Sequence, residues 1–377
     1  MFRIAFFFIW LTIFTFPWQN LVITGFGTIS RIVGVLSIVF SFLYILLSGK
    51  IKKIKFYYGF IFLFIIWVGI SYFWSANPTA SYVYFSQLVQ LFVLIWMLYE
   101  FSNTEKSYYS LLFAYVLGCF ISSGNTVYNY LTSTDIYANR WVADGFNANY
   151  LAYTLTLALP IAWYLYKNGY RPKLNLLYIP IGIYSTVLTG SRTAFIGLVI
   201  FLMFLCWQFI KKKFRYKKRI IFLFLLLSPY LYSKIPTQSI NRLMTITSEL
   251  TTGDLNNRSY IWNYAIGTLR EVNVFFGGGA GSFPISAHNV YLGLIVELGI
   301  IGLLFYAGII LINAGMVKRM NNDDKWLWTL MLSMWFIYSN MATIENEKMT
   351  WFIFGMIPVC YYLRNRDFKR KNKYSLG

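Results

Sequence analysis

The chain has 377 residues, 58% of them hydrophobic, and a mean hydropathy of +0.55. Its 33 Lys and Arg against 13 Asp and Glu leave a net charge of +20. This composition excludes an ordinary soluble domain and predicts an all-α polytopic membrane protein, and because Cys119, Cys206 and Cys360 lie in separate apolar stretches, neither a disulfide framework nor a zinc site is indicated.

Apolar runs recur from end to end, and about 20 residues suffice to cross a bilayer as a helix. They predict twelve spans near 3–18, 31–48, 56–74, 80–100, 107–131, 148–167, 174–190, 192–210, 219–233, 288–313, 325–342 and 348–363, within a single integral membrane domain over 1–377. The first has no small-residue cleavage site before Phe16-Pro17-Trp18 and reads as retained. The separators alternate in charge. Segments 50–55, 167–173, 211–219 and 318–325 and the tail 364–373 are basic, so that one side holds 25 basic and 5 acidic residues and the other 8 and 7. Short cytoplasmic loops collect Lys and Arg, which puts both termini inside and the remaining loops outside. The net charge reads as topology and attraction to anionic membrane lipids, not as a nucleic-acid surface.

On the outer side, Trp74-Ser75-Ala76-Asn77-Pro78 joins the third and fourth spans, and 132–147 carries Asp135, Arg140 and Asp144. Span six opens with Asn147-Ala148-Asn149-Tyr150. The largest outer element is the extracytoplasmic loop 234–287 between spans nine and ten, too long to lack structure of its own. Two helices are expected in it. One covers 238–250, with Ile240, Leu243, Met244 and Ile246. The other covers 258–272, with Tyr260 or Ile261, Tyr264 or Ala265, and Leu269 on one stripe and Asn256 or Asn257 as N-cap. A glycine-dense run, 277–282, then leads back to the membrane at His288.

Six of the eight outer basic residues are Arg (Arg31, Arg140, Arg192, Arg242, Arg258 and Arg270), against eight of 25 inside. Guanidinium groups bind phosphate through paired hydrogen bonds and stay charged when partly desolvated, so the bias points to an anionic, phosphate-bearing ligand. Snorkelling at helix ends is the competing explanation. Arg192 stands out because Thr189-Gly190-Ser191-Arg192-Thr193-Ala194 turns span seven into span eight almost without a loop, and a charge held at a membrane edge is a functional candidate. His288, the single histidine, sits at the water–membrane boundary. Lone histidines on apolar segments are more often structural, but imidazole at this place could act as general base toward a sugar hydroxyl or donate to an anionic leaving group. Glu297 lies about 180° around an ideal helix from His288, so it is expected to serve packing or interhelical hydrogen bonding. Run 277–282 could cradle phosphate through backbone N–H groups, a weak signal because such turns are common. No Asp-x-Asp pair, His/Cys cluster or Walker-type loop is present outside, so no metal or other cofactor is expected and the driving energy must reside in an activated substrate bond.

Thr189-Gly190-Ser191-Arg192-Thr193-Ala194, Asn257-Arg258-Ser259-Tyr260-Ile261-Trp262 and His288-Asn289-Val290-Tyr291-Leu292 followed by Glu297-Leu298-Gly299 and Gly302-Leu303 resemble motifs of the O-antigen ligase/polymerase family. The segments 74–78 and 147–152 resemble its earlier motifs, in matching order and on matching sides. The resemblance implies a GT-C-like, metal-independent inverting glycosyltransferase in the bacterial inner membrane with its site facing the periplasm. Its donor would be a glycan on undecaprenyl diphosphate. Arg192 and Arg258 would clamp the donor diphosphate, His288 would activate the acceptor hydroxyl, and Arg270, matched to no motif, is a less secure third phosphate contact.

Two activities share these motifs. A polymerase elongates lipid-linked repeat units into O-antigen or a related surface polysaccharide, with a chain-length-regulating co-polymerase as candidate partner. A ligase transfers finished glycan to lipid A-core. Compactness and richness in Phe, Tyr, Ile and Lys favour the polymerase by family analogy. A transporter or flippase for the lipid-linked oligosaccharide is disfavoured because ionisable residues are nearly absent from span interiors.

Overall fold

The computed structural model describes residues 1–20, 22–23, 27–134, 140–211, 236–242, 244 and 258–374. The expected ninth span, 219–233, lies outside them, as do nearly all of the basic run 211–219, most of the expected helix 238–250, Asp135, and the proposed caps Asn256 and Asn257. Helices stand at the eleven other places where apolar runs predict spans. The first eight are α1 (Phe2–Thr15), α2 (Ile29–Ser48), α3 (Phe56–Ile70), α4 (Pro78–Phe101), α5 (Glu105–Thr132), α6 (Ala148–Lys167), α7 (Pro172–Leu188) and α8 (Arg192–Lys211). Then come α9 (Arg258–Thr268) in the long loop, α10 (Val290–Lys318), α11 (Asn322–Ser339) and α12 (Lys348–Tyr374). A two-residue hairpin pairs Val22–Ile23 with Gly27–Thr28.

Among the described residues six stretches are long and apolar enough to cross a membrane: α2, α3 with its following turn, α4, α5, α8 and α10. In hydrocarbon every backbone polar group must be satisfied within the segment, which selects helices. The chain is thus a polytopic helical membrane protein. Helix α6 shows why apolar length alone undercounts helices here. Its residues 151–165 are all buried in protein, so its surroundings are side chains and Thr and Tyr are admitted along it. Pro160 removes one helical donor, and the hydroxyls of Tyr115 and Tyr178 donate to the carbonyls of Thr154 and Leu155, at 3.1 and 2.9 Å, in the stretch just before it.

Residues group into two compact units, neither continuous in sequence. One comprises 1–13, 31–111 and 253–377, the other 14–30 and 112–252. In the first, α10 packs on α3, α11 and α12, and α4 on α3 and α12. Aromatic rings fill the centre, with Trp335 and Phe354 5.0 Å apart and Tyr306 against both. Among its buried polar groups, Tyr57 donates to Phe354 O and accepts from Asn313 Nδ2, each at 2.8 Å. The buried Asp324 accepts from Arg364 Nε at 2.8 Å, and Arg364 also pairs with Glu105.

Helix α10 is broken at Gly299, which has φ +67° and ψ −173°. The break admits the glycine run. Gly278 and Gly279 donate to Val296 O and Glu297 O at 2.9 and 2.8 Å, and Ile300 donates back to Val274 O at 2.9 Å. A Cβ on Gly299 would lie 2.1 Å from Phe275 O, and one on Gly279 2.4 Å from Ser75 Cα, so each of these two close approaches requires its glycine. Ala76 N–H donates to Gly278 O, Ser81 Oγ to Ala280 O, and Ser71 Oγ accepts from Ala280 N–H. Run 277–282 is therefore a clip between the 71–81 segment and the break in α10.

In the second unit α6 packs on α7 and α8, and α7 on α8. Chain segment 140–142 runs beside the end of α7, with Trp141 N–H donating to Leu188 O at 3.0 Å.

Candidate functional site

The second unit holds Arg192. It is the first residue of α8, partly buried, directly after a turn in which Gly190 has φ +59°. Two further arginines converge on that turn. Arg140 donates from Nε to Thr189 O at 2.9 Å and from Nη2 to Asn149 Oδ1 at 2.7 Å. Arg242, on the helical stretch 237–242, donates from Nε to Gly190 O at 3.2 Å. Asn147, the N-cap of α6, accepts from Asn149 N–H at 2.9 Å and so orients the side chain that holds Arg140. Burial, then the charges of Arg242 and Arg192, push the Arg140 guanidinium down to about 10. From sequence, Arg140 and Arg242 belong only to the general outer-arginine set. Their convergence rests on contacts 49 and 52 residues apart.

The first unit holds His288, Arg258 and Arg270. His288 precedes α10 rather than opening it and has φ +49°, a left-handed backbone that costs a non-glycine residue of order 1 kcal/mol or more. Asn289 caps the helix, accepting from Leu292 N–H at 3.0 Å. The imidazole has one hydrogen-bond contact among the described residues, Nδ1 with Ser286 Oγ at 3.5 Å, and Ser286 Oγ lies 2.6 Å from Thr343 Oγ1. Burial first, then the Arg258 charge, hold the His288 pKa below the usual 6.5, which favours the uncharged ring.

Arg258 opens α9 and donates from Nη1 to Met341 Sδ at 2.8 Å. Helix α9 is seated on α10 through Ala265, Phe283, Ala287 and Val296, with Leu269 alongside, and Trp262 Nε1 donates to Ala287 O at 3.1 Å. Of the expected stripe, Ala265 is buried while Tyr260 and Tyr264 are exposed, so the face is that of Ala265 and Leu269. Arg270 lies exposed just past α9, and its charge is not among those acting on His288. Within the first unit Arg258 and His288 are thus brought together, and within the second Arg192 lies with Arg140 and Arg242.

Two expectations are settled by hydrogen bonding. Every N–H from Gly277 to Ser282 is engaged by protein: Gly277 with Asn273 O, Gly278 and Gly279 with α10, Ala280 with Ser71, Gly281 with Glu297 Oε2 and Ser282 with Gly279 O. The run cannot cradle phosphate, because a cradle needs amides aimed outward. Glu297 accepts the Gly281 N–H at 2.9 Å and does not orient His288, a structural role as expected, though toward the clip rather than another helix.

Segment 340–347 was not legible as part of this region. Asn340 O accepts from Asn289 Nδ2 at 3.4 Å, Met341 meets Arg258, and Thr343 meets Ser286. Glu345 is 7% exposed, with Oε1 accepting from Tyr84 at 3.4 Å and Oε2 without a partner. Burial pushes its carboxyl up to about 7, with Glu347 adding to the effect. Among the described residues no group of three His, Cys, Asp or Glu side chains could hold a metal ion.

No curated protein matches the chain. Residues 177–307, which include Arg192, Arg258, Arg270 and His288, match the family model described as O-Antigen ligase, and this match supports the resemblance to the O-antigen ligase/polymerase family.

Proposed function

We propose that the chain is a metal-independent, inverting glycosyltransferase with a GT-C-like arrangement of twelve crossings, both termini cytoplasmic and its site at the periplasmic face. It polymerises undecaprenyl-diphosphate-linked repeat units. The observation that carries the reading is the single imidazole of His288, held in a left-handed backbone beside Arg258 within the matched segment. Strained backbone at a lone, partly buried histidine is typical of a group placed for chemistry.

In this mechanism His288 takes the proton of the acceptor hydroxyl through the ring nitrogen not facing Ser286. The acceptor oxygen attacks the anomeric carbon from the side opposite the diphosphate. The bond from that carbon to the phosphate oxygen breaks, and undecaprenyl diphosphate leaves with the electron pair. Arg192 and Arg258 offset the charge that develops on it, the electrostatic contribution expected of preorganised cations. Arg270 serves as an outlying third phosphate contact.

The ligase reading, transfer from undecaprenyl diphosphate to lipid A-core, is favoured by the description of the matching family model. Purified protein incubated with a defined lipid-linked repeat unit and a chelator distinguishes the readings. Longer lipid-linked products support the polymerase. Product only when lipid A-core is added supports the ligase. Movement of the substrate across a vesicle membrane without any new glycosidic bond overturns both. In cells, deletion that leaves single-repeat-capped lipopolysaccharide supports the polymerase, and loss of all capping with surviving lipid-linked polymer supports the ligase.

A further inference from the structure

Three helices of the first unit allow the membrane to be measured from its basic side. Helix α3 with its following turn starts directly after Lys55 and reaches Trp74 in 19 residues, about 30 Å at the rises of α- and 3-10 helix. The part of α10 beyond its break, Ile300 to Lys318, is about 28 Å long and holds no charge before Lys318. Helix α4 runs about 33 Å from Glu100, which accepts from the Lys52 N–H, up to Pro78. A hydrocarbon core is about 30 Å thick. Counted from three separate charged ends, its far boundary therefore falls at one level, that of Trp74, Pro78, Gly299 and the clip.

The chain at that level is uncharged and apolar. Segments 71–83 and 272–287 contain no Asp, Glu, Lys or Arg. Two tips stand out from them, Tyr72-Phe73 and Val274-Phe275-Phe276, with Phe73 83% and Phe275 57% exposed. Phe276 packs against Trp67 and Trp74, ring centroids 5.7 and 5.6 Å away, which joins the second tip to the first. The peptide groups of the second tip are turned the other way. Phe275 N–H donates to Asn273 Oδ1 at 2.9 Å and Phe276 N–H to Asn273 O at 3.2 Å, while the carbonyls of Val274 and Phe275 accept from Ile300 and Ile301 N–H at 2.9 and 3.3 Å. With the engaged amides of 277–282, this meets the condition for irregular backbone at membrane depth, where water is not there to satisfy it.

We propose that the two tips insert into the outer leaflet at the edge of the hydrocarbon and anchor the clip there, the place where membrane proteins collect aromatic side chains. Lipid is the occupant of this surface. Exposed Phe62, Ile66 and Ile70 follow one another at helical spacing up α3 and lead to Phe73, so the first tip continues a face that hydrocarbon already covers on a span. The assignment does not depend on the reaction proposed above, but it bears on the candidate site. Only Val290 to Leu298 separates the anchored break from Asn289 and His288, so the anchor holds the imidazole no more than about 14 Å beyond the boundary.

The test is the accessibility of nitroxide labels on the full chain in phosphatidylethanolamine–phosphatidylglycerol vesicles. Of the three cysteines only Cys206 is exposed, so Cys206→Ala supplies the background. Labels are attached through Phe73→Cys and Phe275→Cys, with Tyr72→Cys and Val274→Cys as second positions on the same tips. Leu304→Cys, on the exposed face of α10 below the break, is the reference within the membrane. Collision with oxygen, which partitions into lipid, is compared with collision with a water-soluble nickel chelate. Labels on both tips should favour oxygen and lie about 5 to 8 Å shallower than the label at 304, the rise from Gly299 or Ile301 to that residue. A preference for the chelate at either tip puts that tip in water and overturns the anchor. Labels screened from both reagents are covered by protein, which replaces lipid by a second copy of the chain as the occupant and also overturns it. Labels as deep as the one at 304 refute the boundary count. Because the tip side chains are exposed, each variant should melt as the background protein does; unfolding caused by substitution at both positions of a tip would show that tip to be packed in protein, again contradicting the proposal.

Discussion

Replacing Glu345 by Gln keeps the side chain's shape and removes its ionisation. Glu345 sits two residues from Thr343, whose hydroxyl meets Ser286 beside His288, so its protonation bears on the segment supporting the candidate site. Its carboxyl is lifted from 4.5 to about 7, chiefly by burial. A shift of that size makes the ionised form about 3 kcal/mol harder to accommodate in the folded than in the unfolded chain. The sign follows from proton binding. Between 4.5 and 7 the unfolded chain has released this proton and the folded chain keeps it, so stability falls as pH rises through that window and levels off above it. Glu345→Gln lacks this slope. Relative to wild type it should gain stability progressively from pH 4.5 to pH 7 and hold the gain at pH 8, up to about 3 kcal/mol. Thermal unfolding of both proteins in the same detergent, at several pH values across this range, measures the difference. A difference that does not change with pH, or that shrinks as pH rises, refutes the reasoning.

Arg258→Gln should raise the pKa of His288, because a neighbouring cation is one of the two causes holding it down. With one histidine in the chain, a single imidazole NMR signal reports it directly; an unchanged titration would contradict the proximity. Gly279→Ala should cost about 2 kcal/mol or more, since φ +96° and a Cβ 2.4 Å from Ser75 both oppose it; a melting temperature equal to wild type would remove the clip's structural importance. Arg192→Lys should lose transfer nearly as completely as Arg192→Ala, because an ammonium cannot make paired bonds to phosphate; wild-type rates in the Lys variant would count against such contact.

What was legible in the sequence follows from how local the signal is. Continuous apolar runs place eleven described helices, and α9 begins where the 258–272 stripe predicts. Caps at Asn77, Asn147 and Asn289 lie within three residues of the amides they serve, so their signal is likewise local, although none of the three was expected from the sequence. The glycine run shows the opposite case. Its composition suits an anion cradle, but whether its amides point outward depends on the break at Gly299, about twenty residues on, and on Ser71, 209 residues away. Arg140, Arg242 and segment 340–347 were missed for the same reason, because nothing near them in sequence indicates what they meet. Composition of the outer face did hold the signal for two of these, as an excess of Arg over Lys, without showing where the guanidinium groups converge.

The most direct test of the central claim is single-turnover transfer by His288→Ala alongside its equilibrium binding of the lipid-linked donor. Donor affinity should stay within about threefold of wild type while transfer falls by about a hundredfold or more, the usual contribution of a general base. Wild-type transfer by this variant, or loss of donor binding equal to the loss of rate, would contradict the role given to the imidazole.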